Sequence, residues 1–275
     1  MNHQTWEWET SNQWKMFAQK WTPDKNCKAS IILIHGLGEH SSRYDQMAKF
    51  YCDHQIQVLA FDVYGHGRSD GQRGHIPELN TFLDDIVDFR EQVKDDLNGK
   101  PVFLYGHSMG GMIVLTYVLK KYPAFDGIIT TSPLIDTAKP MDGFTKSLVR
   151  ILNSIAPRMT INNRIDRSFL SRDAHIVDAY NEDPLVFGKL SMRLGAFMVD
   201  SQQFIREHAA EFAQPLLMMV GSDEKIVSKA DIDVFMQFLP QQTYKVWDGC
   251  FHELHNEPEK EKVFEYTLAW MKDHM

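Results

Sequence analysis

Six short apolar runs constrain this chain more than any other feature. They are "SIILIHG" (30–36), "IQVLAFD" (56–62), "PVFLYG" (101–106), "DGIITTS" (126–132), "PLLMMVG" (215–221) and "TYKVW" (243–247). Each has strand length, and most are apolar at successive positions rather than alternate ones. Both faces of such strands must be covered, as in a buried parallel sheet. Stretches of helical period lie between them. In "ELNTFLDDIVDFREQVKDDL" the residues Leu79, Phe82, Leu83, Ile86, Phe89 and Val93 share one face. "SMGGMIVLTYVLKKY", "DIDVFMQFL" and "EKEKVFEYTLAWMKDHM" follow. Strand alternating with helix predicts a doubly wound α/β fold. "QTWEWE" and "WKMFAQKW", separated by "TSNQ", read as a hairpin at the sheet edge, for about eight strands in all.

The rhythm breaks between residues 135 and 206. A structureless loop of that length is improbable in a compact domain, so the stretch reads as an inserted helical cap. Residues 1–134 and 207–275 form the α/β core, and 275 residues suit one large domain. The first piece of the cap, "GFTKSLVRILNSIAP", places Phe144, Leu148, Ile151, Leu152 and Ile155 on one side. That face either packs on the main domain, the favoured expectation, or forms a lid that touches lipid.

Composition removes several function classes. The net charge is −8 and no basic run exceeds two residues, which argues against a nucleic-acid partner. Cys27, Cys52 and Cys250 are too scattered for a disulfide framework or a zinc site, and they fit a reducing compartment, the cytoplasm. The first residues lack the basic and apolar regions of a signal peptide. The longest apolar runs are too short to span a bilayer.

The third apolar run ends in Gly106-His107-Ser108-Met109-Gly110, a G-x-S-x-G pattern. A nucleophile on a tight strand-to-helix turn is forced into a strained backbone conformation, and its neighbours two residues away must be tiny. The helix N-terminus beside Ser108 favours developing negative charge. A serine needs a base, and the order for such a turn is serine, acid, histidine. "PLLMMVGSDEKIVS" supplies the acid loop, and "TYKVWDGCFHELHNE" supplies His252 after the last strand. The histidines of His252-Glu253-Leu254-His255 are three apart in a loop, so the zinc reading of H-E-x-x-H does not apply. An oxyanion hole needs two backbone N–H donors. The residue after the nucleophile, Met109, offers one, and Leu37 in "IHGLGEH" the other. That loop lacks the third glycine of a nucleotide-binding G-x-G-x-x-G.

"IHGLGEHSSRY", "FDVYGHGRSDGQRGH", "YGHSMGG", "YNEDPL", "GSDEKIVS" and "GCFHELHNE" occur in an order and spacing that resemble monoacylglycerol lipases and related lysophospholipase-like α/β-hydrolases. The resemblance runs from about Trp14 to Trp270. It implies the α/β-hydrolase fold, with Ser108 as nucleophile, His252 as base, and the Leu37 and Met109 amides as oxyanion hole. It also implies that Glu39, Arg43, Tyr180 and His255 lie near the leaving alcohol, although Glu39 and Arg43 could equally be an i,i+4 surface pair. One departure matters. The family acid is an aspartate in G-x-x-D-x-[IV]-V, and here Glu224 fills that slot with Asp223 one residue early. Motif register favours Glu224, with Asp223 the alternative. The implied activity is cleavage of a monoacylglycerol or similar single-chain lipid ester through an acyl-serine, with no cofactor or metal. The lid alternative would bring transient membrane-surface contact through the cap. The alternatives are a lysophospholipase, a short-chain carboxylesterase, or a non-catalytic binding protein of the same fold.

Overall fold

A computed structural model describes residues 1–97 and 99–275. In chain order the elements are β1 (Asn2–Glu9), β2 (Lys15–Thr22), β3 (Ala29–Ile34), α1 (Asp45–Asp53), β4 (Ile56–Phe61), α2 (Thr81–Gln92), α3 (Lys94–Leu97), β5 (Val102–His107), α4 (Met109–Leu119) and β6 (Gly127–Thr131). They continue as α5 (Gly143–Ile155), β7 (Thr160–Asn162), α6 (Ala174–Glu182), β8 (Lys189–Ser191), α7 (Met192–Glu207), β9 (Leu216–Gly221), α8 (Lys229–Gln237), β10 (Thr243–Trp247) and α9 (Lys260–Lys272).

The main sheet has eight strands in the order β1-β2-β4-β3-β5-β6-β9-β10. From β4 to β10 every pairing is parallel, and β2 runs against both its neighbours. The hairpin therefore closes one edge, as the alternation of "QTWEWE" and "WKMFAQKW" predicts. Strands β3, β4, β5 and β9 are buried at every position. Period-two side chains divide them between two cores. Ile32, Ile34, Leu104 and Met218 pack on one face with α2, α4 and α7, whereas Ile31, Leu33, Phe103 and Met219 pack on the other with α1 and α9. Chain order reverses between β4 and β5, on either side of β3. In open α/β sheets, the crevice at the carboxyl ends of strands at such a switch point is where ligands bind.

Three expectations need correction. Leu79 precedes α2 and is exposed, because the chain first makes a turn in which the Thr81 hydroxyl donates to the Glu78 carbonyl (2.8 Å). The excursion after β6 is not purely helical, since β7 and β8 pair antiparallel from Thr160↔Ser191 to Asn162↔Lys189. Its last helix, α7, contributes Leu194, Phe197 and Ile205 to the main core. Finally, the apolar face of α5 does not pack on the main domain. Phe144 is 79% exposed and Ile155 76%, and no residue of this helix is buried.

Candidate active site

The strand-to-helix turn at β5 and α4 holds Ser108 at φ 54° and ψ −116°, a region that residues with a side chain rarely enter. Packing enforces it. A Cβ on Gly106 would lie 2.5 Å from the Gly110 carbonyl oxygen, and one on Gly110 would collide with the Ile34 carbonyl. The Ser108 amide donates to the Thr131 carbonyl (3.0 Å), and its carbonyl accepts from Met112 and Leu134 (3.0 Å each). The backbone is thus held from three sides, and the hydroxyl makes no cap bond to its own helix.

That hydroxyl lies 3.0 Å from His252 Nε2, and His252 Nδ1 lies 2.8 Å from Glu224 Oε2. Nδ1–H donates to the carboxylate, so Nε2 is free to accept the serine proton. His252 and Glu224 are buried. Burial alone would lower the histidine pKa, yet the Glu224 charge and hydrogen bond raise it above 6.5. Burial would raise Glu224, but His252 and the amides of Ile226 (2.7 Å) and Val227 (3.2 Å) hold it below its ordinary value. Asp223 is exposed, and its carboxylate accepts from the Ser222 hydroxyl (3.0 Å). Of the two carboxylates that the sequence leaves open, Glu224 is the one within reach of the ring.

The loop after β3 lies against this turn, because a Cβ on Gly36 would come 3.4 Å from that of Ser108. Buried His35 pins the loop: its Nε2 accepts from the Val63 amide (3.0 Å), so Nδ1–H donates to the Gly36 carbonyl (2.8 Å). Burial keeps that ring neutral. Leu37 and Met109 follow the β3 and β5 strand ends, and neither amide has an acceptor among the described residues. Two free N–H groups beside a serine can stabilise an oxyanion.

Glu39 and Arg43 are not a surface pair. Glu39 is buried, with Oε1 accepting from the Gly36 amide (2.6 Å) and the Tyr44 hydroxyl (2.8 Å), and Oε2 from Arg43 (2.6 Å). Arg43 also grips Glu253 through two bonds of 2.7 Å, and its guanidinium lies over the Tyr180 ring at 4.5 Å. Burial would raise the pKa of both glutamates, but the Arg43 charge holds them low and ionised. His255 is buried, stacks on Tyr44 at 4.4 Å, and has no hydrogen-bond partner on either ring nitrogen among the described residues. Burial pushes its pKa down to about 4. Glu253 escaped sequence reasoning, which treated it only as the middle of a metal motif. Its partner Arg43 is 210 positions away, so no local signal could reveal it.

Glu39, Ser108, Tyr180, His252 and Glu253 line one cavity of about 30 Å³, together with Ile165 and Leu170 of the excursion. A larger groove of about 490 Å³, lined by Trp6, Lys20 and Asp96, lies at the β1–β2 hairpin, away from any nucleophile and base. The small cavity is where the chemistry can occur.

The family model described as serine aminopeptidase, S33 (Hydrolase_4) matches residues 25–259. The chain belongs to that family. It is an α/β-hydrolase. The chain is 32% identical to the monoglyceride lipase of Homo sapiens over 93% of its own length and 86% of that protein. It is 37% identical to an abhydrolase domain-containing protein of Dictyostelium discoideum, of which it spans only 28%. The crystal structure of Paleococcus ferrophilus monoacylglycerol lipase superposes with a TM-score of 0.84 at 27% identity, covering all of both chains. No helix among the described residues is long and apolar enough to cross a membrane.

Proposed function

We propose that the chain is a serine ester hydrolase that cleaves monoacylglycerols or similar single-chain lipid esters. The reading rests on the continuous hydrogen-bonded chain Glu224–His252–Ser108, which ends on a strained serine beside two free amides. Ser108 Oγ attacks the ester carbonyl while its proton passes to His252 Nε2. Glu224 stabilises the imidazolium, and the Leu37 and Met109 amides take the oxyanion. His252 then protonates the departing alcohol. Water repeats the sequence in reverse on the acyl-serine and releases the fatty acid. The family description names an aminopeptidase. Two relatives covered over 86% and 92% of their lengths are named monoglyceride and monoacylglycerol lipases, which favours the ester.

We read residues 135–206 as the cap over a core of residues 1–134 and 207–275, with α7 shared between them. Ile165, Leu170 and Tyr180 of residues 135–206 line the cavity beside Ser108, so we read this segment as the element that shifts to admit a lipid ester. Glu39, Arg43, Tyr180 and His255 surround the leaving-group end. Phe144, Leu148, Ile151 and Ile155 on α5 present an apolar stripe suited to a membrane surface that carries substrate. The three unpaired cysteines suit a cytoplasmic setting.

A fluorophosphonate probe should label the wild type covalently and leave Ser108→Ala unlabelled. Hydrolysis rates on a monoacylglycerol, a lysophosphatidylcholine and an aminoacyl amide should rank in that order. An unlabelled wild type would sink the enzyme reading, and a dominant amide rate would move it to peptidase chemistry.

A further inference from the structure

The wall opposite the Ser108–His252 pair carries an unusual charge arrangement. Both Glu39 and Glu253 line the cavity, whereas Arg43, the cation that holds them, is not among its lining residues. The guanidinium is committed to carboxylates: one terminal nitrogen donates to Glu39 and Glu253, the other to the second Glu253 oxygen, and the Tyr180 ring covers it. Asn256 adds a 2.7 Å hydrogen bond to Glu253 and no charge. The other titratable groups do not restore balance. His107 and His255 are kept neutral by burial, and Glu224 adds a further carboxylate behind His252. Arg167 lies over the Tyr180 ring at 5.2 Å, but it bonds to Asn181 and does not line the cavity. Three buried carboxylates thus face one buried guanidinium.

We propose that Glu253 sets the charge preference of the leaving-group end: with Glu39 it makes the wall beside Ser108 and His252 net negative, so the site accepts esters of uncharged alcohols and rejects esters whose alcohol carries a phosphate. The inference rests on the ester-hydrolase reading and narrows it. A phosphate here would meet two carboxylates in a low-dielectric cavity, and the guanidinium that could recognise it is already held in a bidentate pair. The same negative wall suits the imidazolium that forms on His252 when Ser108 attacks. The chemistry is that of ordinary ester hydrolysis, and only the choice of alcohol depends on Glu253.

The test compares a short-chain monoacylglycerol with the matching acylglycerol phosphate, both monomeric in solution, on the full chain. The readout is the ratio of the two kcat/KM values. A ratio taken within one preparation is insensitive to the fraction of folded enzyme. Wild type should strongly favour the neutral ester. Glu253→Gln, which leaves Arg43 balanced by Glu39 alone, should narrow the ratio by about tenfold or more, chiefly by raising the phosphate-ester rate. Glu253→Met, of similar length and uncharged, serves if the glutamine variant does not fold. A wild type that hydrolyses both esters equally overturns the proposal without any variant, as does an unchanged ratio in Glu253→Gln. A wild type inactive on both esters would instead remove the hydrolase reading beneath it.

Discussion

Helices α4 and α5 have similar lengths, 11 and 13 residues, and both are rich in branched aliphatic side chains, yet every residue of α4 is buried and none of α5 is. The pattern of apolar residues explains the contrast. Helix α4 is apolar around its whole circumference, so it can only sit inside, between the sheet and helices α2 and α7. Helix α5 has one apolar stripe and lies on α7, tied there by Arg150 bonding to Asp200 (2.8 Å) and Gln203 (2.9 Å). Both helices belong to structures that enclose the same cavity. On the α4 side the geometry is over-determined by steric contacts and backbone bonds. On the side of residues 135–206 packing and polar links are mixed: α7 adds Leu194, Phe197 and Ile205 to the core, His40 bonds to Asp183 (2.8 Å), and the Phe187 amide donates to the Gly38 carbonyl (3.0 Å). The inner wall beside Ser108 and the exposed face of α5 are thus built from different kinds of helix.

The contrast can be tested first where the expected effect is largest, in the chemistry held at the strand ends. Glu224→Gln should lower kcat by roughly 10³–10⁴-fold, the scale seen when the acid of such a relay loses its charge. Asp223→Asn should stay near wild type, and steady-state rates of the pair decide between the carboxylates. The pH profile gives the sign independently. His252 must be neutral to accept the serine proton, and Glu224 raises its pKa above 6.5. The kcat/KM of the wild type should therefore fall as pH drops through that raised value. In Glu224→Gln the inflection should move to lower pH, and an unmoved inflection would separate Glu224 from the histidine.

Stability should divide the two helices next. Ile113→Ala removes a fully buried side chain of α4 and should cost about 2–5 kcal/mol in denaturant unfolding. Ile151→Ala on α5, at a site 56% exposed, should cost about 0.5 kcal/mol or less. Equal losses would mean that the α5 face is covered in solution. The smallest and most selective effect belongs to the cap. Phe144→Ser with Ile155→Ser should leave turnover of a soluble short-chain ester unchanged. Hydrolysis of a monoacylglycerol presented in phosphatidylcholine vesicles should slow by about tenfold, since two large apolar contacts with the surface are lost. Equal slowing on both substrates would assign α5 to the cavity rather than to the membrane.

Much of this architecture is legible in one dimension. The doubly apolar runs announce a buried parallel sheet because covering both faces of a strand is a local demand on every one of its residues. The turn around Ser108 is legible for a similar reason, since the crowding of Gly106 and Gly110 involves residues a few positions apart. Leu79 was misread because helical periodicity continues through a turn that only the Thr81 hydroxyl reveals. The face of α5 was misread because amphipathicity states that a stripe exists and is silent on what it meets.

The sequence by itself determined where the proposed groups fall along the sheet: serine after the third parallel run, acid and histidine after the last two, and an amide loop after the first. The serine turn follows from local sterics, and the other positions from the strand pattern and the order expected after such a turn. Only the tertiary structure decided which of two adjacent carboxylates reaches His252, because neighbouring residues in a loop point apart and a single backbone direction selects one. Tertiary structure alone also brought Arg43 between Glu39 and Glu253 and left α5 uncovered. Charge pairing across 210 residues, and the exposure of an apolar stripe, are properties of the packed core and the folded surface. No window of the chain contains them.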